Sequence, residues 1–350
     1  MSQFWSPDVH ALRPYTPGEQ PAVQDLIKLN TNESPYPPAP GVAAAIQAAV
    51  DDLRLYPEPD SAALRSSLAQ YHGVGDEQVF VGNGSDEVLA HAFRALFRHT
   101  QPLLYPDISY SFYPVYAGLF AVPTRTVPLD AELKIDPEGF AGDCGGVIFP
   151  NPNAPTGRLM PLDAVAAIAE RNAHCAVIVD EAYIDFGGES AIVLLPQHPN
   201  VLVVRTFSKS RALAGMRVGY AVGSAELVDG LTRVKDSFNS YPLDRLAHAA
   251  AVASVADETY FQANCARVVR NRDQLVASLA GLGFETVPSA ANFLFTRHPD
   301  HAGAALAAAL RERHILVRHF DKPRIDDHLR ISVGSGAECA ALVEALSAIV

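Results

Sequence analysis

The chain has 350 residues, 49% of them hydrophobic and 19% charged, which is enough for one large domain plus a smaller one around sizeable buried cores. Its 27 basic and 39 acidic residues give a net charge of −12, which argues against nucleic acid as the main partner, because a phosphate backbone rewards a basic face. The start MSQFWSPDVHALRPY is not a secretory signal and windows such as VLVV are too short to span a bilayer, so a cytoplasmic protein without membrane contact is expected.

Pro and Gly punctuate the first 60 residues (RPYTPGEQP, NESPYPPAPG, YPEPD), which reads as an arm and loops rather than the start of a packed domain. SAALRSSLAQYH is helical, QVFVGNG is a strand running into a turn, and SDEVLAHAFRALFRH is an amphipathic helix with Ser85 as N-cap. Strand PLLYP, helix SYSFYPVYAGLF, strands TRTVPL and GGVIFPNP, helix LDAVAAIAERN, and strands CAVIVDEAY, VLVVRTFSKS and RVGYAVG follow. Short apolar strands alternating with helices indicate an α/β domain with a largely parallel sheet. Near residue 245 the texture changes. One long Ala-rich helical stretch leads into strand ANFLFTR, helix AGAALAAALRERH, strands ILVRHF and LRISVG, and a final helix. The expected division is an N-terminal arm (1–30) near the small domain, a large domain (31–245) and a smaller α+β domain (246–350).

The four cysteines, Cys144, Cys175, Cys265 and Cys339, have no CxxC spacing and read as reduced core residues. The histidines form no HExxH pair, and no metal site is expected.

Four segments fall at the C-terminal ends of predicted strands, where doubly wound sheets bind ligands. GNGSDE (82–87) offers close backbone approach at Gly84 and the free N–H groups of a helix start, which suit a phosphate; taken alone, a structural turn with a helix cap is the better reading. NPNAPTG (151–157) is turn-forming. VIVDEAY (177–183) ends an apolar strand in Asp180, a carboxylate that needs a cationic partner or exposure, with Tyr183 three positions on. TFSKS (206–210) places Lys209 between two serines, with Arg217 downstream. Singly, each has a bland reading; a lysine at a strand mouth is ordinarily a solvated end. Together they supply an anion cradle, a carboxylate, a phenol and a lysine, the set that pyridoxal phosphate requires.

The order GNGSDE, NPNAPTG, DEAY, TFSKSRALAGMRVGY resembles the fold-type I pyridoxal-phosphate aminotransferases. LNTNESPYPP, LRLYPEPD, YSFYPVY and ILVRHFDKPRIDDHLRISVGS bring the resemblance closer to the histidinol-phosphate aminotransferases, from about residue 28 onward. The resemblance implies a large domain with a mostly parallel sheet flanked by helices, a smaller α+β C-terminal domain, and pyridoxal 5'-phosphate as cofactor. It implies that Lys209 is the Schiff-base lysine and proton carrier, that Asp180 faces the pyridine nitrogen, and that Tyr183 faces the ring oxygen. Gly84, Ser85, Asp86, Ser208 and Arg217 match positions around the phosphate. Asp86 is expected to act through its backbone or as a cap, since its charge opposes a phosphate. Tyr110 matches the aromatic stacked on the ring, while Tyr113 and Tyr116 read as core. Tyr56 matches a tyrosine that reaches the neighbouring subunit's phosphate, implying a homodimer with shared sites. Asn32, Arg318 and Arg330 match substrate-binding positions, Arg330 as the carboxylate arginine. Where the family has asparagine before PTG this chain has Ala154; either Asn153 serves instead or Tyr183 carries that contact alone. Burial in apolar strands and the nearby Arg217 are expected to lower the Lys209 pKa. Arg211 has no assigned role.

The implied reaction moves an amino group between L-histidinol phosphate and 2-oxoglutarate in histidine biosynthesis. An aromatic amino-acid aminotransferase and a phospho-amino-acid decarboxylase are the alternatives on the same scaffold; a regulator's non-catalytic domain is disfavoured by the acidic charge.

Overall fold

The computed structural model describes residues 2–16, 18–19, 21 and 25–350. The expected arm (1–30) is thus described in part, and residues 1, 17, 20 and 22–24 lie outside the described residues. In chain order the elements are β1 (Ile27–Lys28), α1 (Gly41–Ala49), α2 (Ala62–His72), β2 (Val79–Asn83), α3 (Gly84–Leu96), β3 (Leu103–Pro106), α4 (Tyr113–Phe120) and β4 (Thr124–Val127). Then come β5 (Gly146–Pro150), α5 (Leu162–Arg171), β6 (Val177–Asp180), β7 (Val201–Thr206), β8 (Val218–Gly223), α6 (Ala225–Asp236), α7 (Arg245–Ala256) and α8 (Glu258–Gly281). The chain closes with β9 (Glu285–Val287), β10 (Phe293–Arg297), α9 (Gly303–Glu312), β11 (Ile315–Leu316), β12 (Arg318–His319), β13 (His328–Ser332) and α10 (Gly336–Ser347).

The main sheet has seven strands in the order β2-β8-β7-β6-β5-β3-β4. All neighbours are parallel except β8, which runs antiparallel to β2 and β7. The central strands are buried on both faces, which explains their unbroken apolar runs. Val147, Phe149, Val177 and Val179 point into one core with Leu64, Leu68, Val165 and Ile168 of α2 and α5. Ile148, Ile178, Leu202 and Val204 point the other way, into a core with Leu89 and Phe93 of α3, Tyr113 of α4 and Leu231 of α6. Helices therefore cover both faces.

A second, four-stranded antiparallel sheet, β12-β13-β10-β9, packs with α8, α9 and α10 around Phe293, Leu310, Leu329 and Leu342. β1 joins β11 in a parallel pair, so Ile27 and Lys28 are tied to this smaller unit. Among the described residues no helix is long and apolar enough to cross a membrane.

Several expectations need correction. The first 60 residues are not all arm and loop: GVAAAIQAA forms α1, an alanine-rich run with good helix propensity that the flanking prolines obscured. Ser85 is not the N-cap of α3. The helix begins at Gly84 after Asn83, and no side chain caps it. The long Ala-rich stretch is two helices, separated at Asp257, whose carboxylate accepts from Tyr260 N–H and starts α8. α6 was not anticipated, although Ser224 caps it by accepting from Leu227 N–H. ILVRHF is two short strands, because β11 pairs with β1 and β12 with β13.

Candidate active site

β5, β6 and β7 run parallel in the centre of the sheet, so their C-terminal ends, Pro150, Asp180 and Thr206, lie side by side. A cavity of about 350 Å3 opens there. Ser85, Asp86, Tyr110, Asp180, Tyr183, Ser208, Lys209 and Arg217 all line it. Eight expected site residues, spread over 133 positions of the chain (from 85 to 217), thus converge on one space.

Asp180 is 5% exposed, and its Oδ2 accepts from the Tyr113 hydroxyl at 3.0 Å. Oδ1 accepts from Ala182 N–H at 3.3 Å. Among the described residues no cationic side chain pairs with it, although the sequence suggested that one was needed. Burial pushes its pKa up to about 6, against the pull of those two hydrogen bonds. Tyr113, read as core, is fully buried yet supplies this hydroxyl, a role its helical spacing did not disclose.

Lys209 sits just past the end of β7, and its Nζ donates to the Thr31 carbonyl at 3.0 Å. Burial brings its pKa down to about 8, with Arg330 the next influence and Arg217 a weaker one. The sequence named Arg217 as the nearby cation; the larger electrostatic effect comes from Arg330, on the smaller sheet.

The candidate anion cradle is the junction where β2 passes directly into α3. Gly84 takes φ +77°, and a Cβ built there would come within 2.5 Å of Arg217 Nη2. Gly219, on β8, lies directly against the Ser85 backbone. Asn83 N–H is taken by Glu87 Oε2 at 2.5 Å, leaving the N–H groups that follow at the helix start. Arg217 donates to Asp86 Oδ2 at 3.0 Å, and the Tyr110 hydroxyl donates to Asp86 Oδ1 at 3.0 Å. Asp86 does not act as a cap: its carboxylate aims both the Arg217 guanidinium and the Tyr110 ring.

Tyr183 is 8% exposed, and its hydroxyl accepts from Asn32 Nδ2 at 3.1 Å. Asn32 is fixed in turn by Ser332, whose Oγ accepts from Asn32 N–H at 2.8 Å. Ala154 lines the cavity. Asn153 does not supply the missing donor: its Nδ2 gives its hydrogens to the Ile108 carbonyl and Thr156 Oγ1, at 3.1 and 3.0 Å.

Arg330 and Arg318 face each other across the β12–β13 register. Arg330 Nη2 donates to the Asn30 carbonyl at 2.9 Å, while its buried Nε has no partner among the described residues. Neither arginine lines the cavity, but the Arg330 charge is felt at both Lys209 and Tyr183. Tyr56 lies outside: it is 79% exposed and stacks on Tyr241 with ring centroids 5.0 Å apart. Arg211 is structural. It donates to the Ser254 carbonyl at 2.6 Å and lies 3.9 Å over the Phe261 ring.

Thr31, Glu33 and Thr206 also line the cavity and were not anticipated. Glu33 is held by Lys28 at 2.5 Å and by the Thr31 hydroxyl at 2.6 Å, and its charge opposes the lowering of the Lys209 pKa. Beneath the lysine loop, Arg205 is paired with Asp185, and Ser210 donates to Asp185 at 2.5 Å. Only the position of Ser210 beside Lys209 hinted at this layer.

A sequence profile of the aminotransferase class I and II family matches residues 24–346. The histidinol-phosphate aminotransferase 1 of Hydrogenovibrio crunogenus is 59% identical over 348 residues, covering 99% of this chain and 98% of that protein. The histidinol-phosphate aminotransferase of Aromatoleum aromaticum is 59% identical over 351 residues, covering 99% of both chains. The crystal structure of histidinol-phosphate aminotransferase from Sinorhizobium meliloti in complex with pyridoxal-5'-phosphate superposes with a TM-score of 0.89 at 26% identity, over 100% of this chain and 99% of that one. The match spans both sheets and every segment that lines the cavity, and the chain belongs to the aminotransferase class I and II family.

Proposed function

We propose that this chain is a pyridoxal-phosphate-dependent aminotransferase that exchanges an amino group between L-histidinol phosphate and 2-oxoglutarate, a step of histidine biosynthesis. Asp180 carries the cofactor part of this reading. A buried carboxylate with no cation beside it among the described residues, at the floor of a cavity that also holds a lysine and a candidate anion cradle, calls for a cationic ring nitrogen. The residues present fit that group, since Gly84 leaves the backbone approach open that a phosphate needs. The substrate part is supported by relatives 59% identical over nearly the whole chain, both named histidinol-phosphate aminotransferases.

In this reading the first turn of α3, Ser208 and Arg217 hold the phosphate, the arginine through a fork already aimed by Asp86. Tyr110 would pack on the ring, Asp180 would keep the ring nitrogen protonated, and Tyr183, which accepts from Asn32, would hold the ring oxygen. When bound, pyridoxal phosphate supplies an electron sink for charge that develops at the substrate's Cα. Lys209 moves the proton at that carbon. Its pKa, lowered to about 8, leaves a useful fraction of neutral amine near pH 7.5. Arg330 and Arg318 bind the substrate's anionic ends.

The active form is a homodimer with shared sites. Tyr56, exposed and stacked on Tyr241, has its backbone carbonyl held by Arg245 Nη2 at 2.7 Å, and the exposed Leu53, Leu55 and Phe238 supply apolar surface for a partner.

The test is turnover with defined donors. Glutamate should form from 2-oxoglutarate with L-histidinol phosphate at a kcat/KM at least tenfold above that with phenylalanine. Preference for phenylalanine would convert the reading to an aromatic aminotransferase, and release of CO2 would overturn transamination. Borohydride treatment followed by peptide mass spectrometry should place the cofactor on Lys209.

A further inference from the structure

β5 and β6 are parallel neighbours, so their starts lie side by side at the sheet edge opposite the cavity. Cys144 stands two residues before β5, and Cys175 two before β6. Although 31 positions apart in sequence, their Sγ atoms are 3.7 Å apart. His174 joins them, and the three ligand atoms all lie within 4.8 Å of one another. Cys144 is buried, Cys175 half-buried and His174 exposed, so the group is anchored in the fold and open on one side.

The separation is informative. Zinc–sulfur bonds of about 2.3 Å at a tetrahedral angle put two thiolates roughly 3.8 Å apart. The thiol pair already stands at that spacing. A disulfide needs about 2.05 Å, so forming one requires a sulfur to move by well over an ångström. Cys144 is also steadied. Its Sγ donates to Asn172 Oδ1 at 3.3 Å, and Asn172 Nδ2 is tied to the Phe140 and Ile168 carbonyls at 2.9 Å each. Two thiolates and an imidazole favour zinc-class cations over magnesium or calcium, which prefer oxygen ligands.

We propose that Cys144, His174 and Cys175 form a zinc-class metal site, with water in the fourth position on the exposed side of His174. Binding releases the two thiol protons to solvent and closes no covalent bond between the sulfurs. Cys175 precedes Asp180 by five residues of nearly extended chain, roughly 17 Å, so the metal clamps two central strands without touching the catalytic cavity. A cation held by the native fold and not by the unfolded chain raises stability by mass action.

Reduced, chelator-treated holoenzyme titrated with cobalt(II), zinc's spectroscopic stand-in, should take up one equivalent per chain and show the intense visible bands of four-coordinate cobalt. Cys144→Ser and Cys175→Ser should abolish these bands, while Cys265→Ser, in the smaller unit, should keep them. His174→Ala, at an exposed position that does not endanger folding, should weaken binding roughly tenfold or more. Zinc should raise the melting temperature of the wild type and not of the Cys144→Ser/Cys175→Ser protein, with the turnover rate unchanged. No stoichiometric uptake by the reduced protein overturns the site. Uptake unaffected by His174→Ala, or retained in the doubly substituted protein, overturns it as well.

Discussion

If Asp180 pairs with the ring nitrogen as proposed, the ionisation of this one side chain sets cofactor affinity. Its pKa is pushed up to about 6 by burial, so below that pH the empty site holds a neutral carboxyl that cannot pair with a ring cation. Affinity for pyridoxal phosphate should therefore fall as pH drops through 6, measured by equilibrium dialysis from pH 8 to pH 5, and Asp180→Asn should bind more weakly and fall less steeply over that range. The same substitution should lower kcat by about 100-fold or more, because the charge that keeps the ring protonated is gone. Glu181 gives a different readout. Burial raises its pKa from 4.5 to about 7, against the pull of Arg205. The folded carboxyl binds its proton more tightly than the unfolded one, so its contribution to stability is complete below pH 4.5 and is lost as pH rises through 7. Glu181→Gln should lose less stability than the wild type between pH 5 and pH 8 in urea unfolding. Asp180 and Lys209 were legible in the sequence, because a charge that ends an apolar strand is conspicuous. The Tyr113 hydroxyl on Asp180 was not, because a tyrosine at helical spacing looks the same whether or not its hydroxyl finds a partner.

At the scale of elements, the proposed phosphate site makes a prediction at the β2–α3 junction. Gly84→Ala puts a methyl 2.5 Å from Arg217 Nη2, on a backbone at φ +77°. The substitution should cost about 1–2 kcal/mol of stability and weaken pyridoxal phosphate binding by roughly tenfold, read by calorimetric titration. β6, buried on both faces, is more sensitive to lost volume. Ile178→Ala, at a fully buried position, should destabilise the protein by about 2–5 kcal/mol without altering substrate preference. The strands of the main sheet were readable because double burial leaves an unbroken apolar run. α1 was not, because prolines flank its alanine-rich run, and neither was β1, two residues long and fixed by its distant partner β11 rather than by its own pattern. We propose Asp257 as the boundary between the two units. Ala247, Ala250 and Val255 of α7 pack in the core of the large sheet, whereas Phe261 and Val268 of α8 pack with the smaller one.

For the whole molecule, the shared-site proposal makes a prediction that no single-chain effect mimics. Lys209→Ala and Tyr56→Ala proteins, each impaired alone, should regain activity when unfolded together and refolded, because one site of each mixed dimer then carries both native residues. No regain would sink the shared site while leaving the cofactor assignment intact. The sequence by itself determined the α/β class, the order of the strands that end in functional residues, and the cofactor chemistry those residues imply. Each of these is written locally, in apolar runs, turn residues and charges at strand ends. Tertiary structure alone decided that Arg330 rather than Arg217 is the main cation acting on Lys209, that Asn153 spends its amide hydrogens on Ile108 and Thr156, and that Cys144 meets Cys175. Those outcomes depend on which strands become neighbours, and long-range pairing is set by packing of the whole sheet rather than by any stretch of sequence.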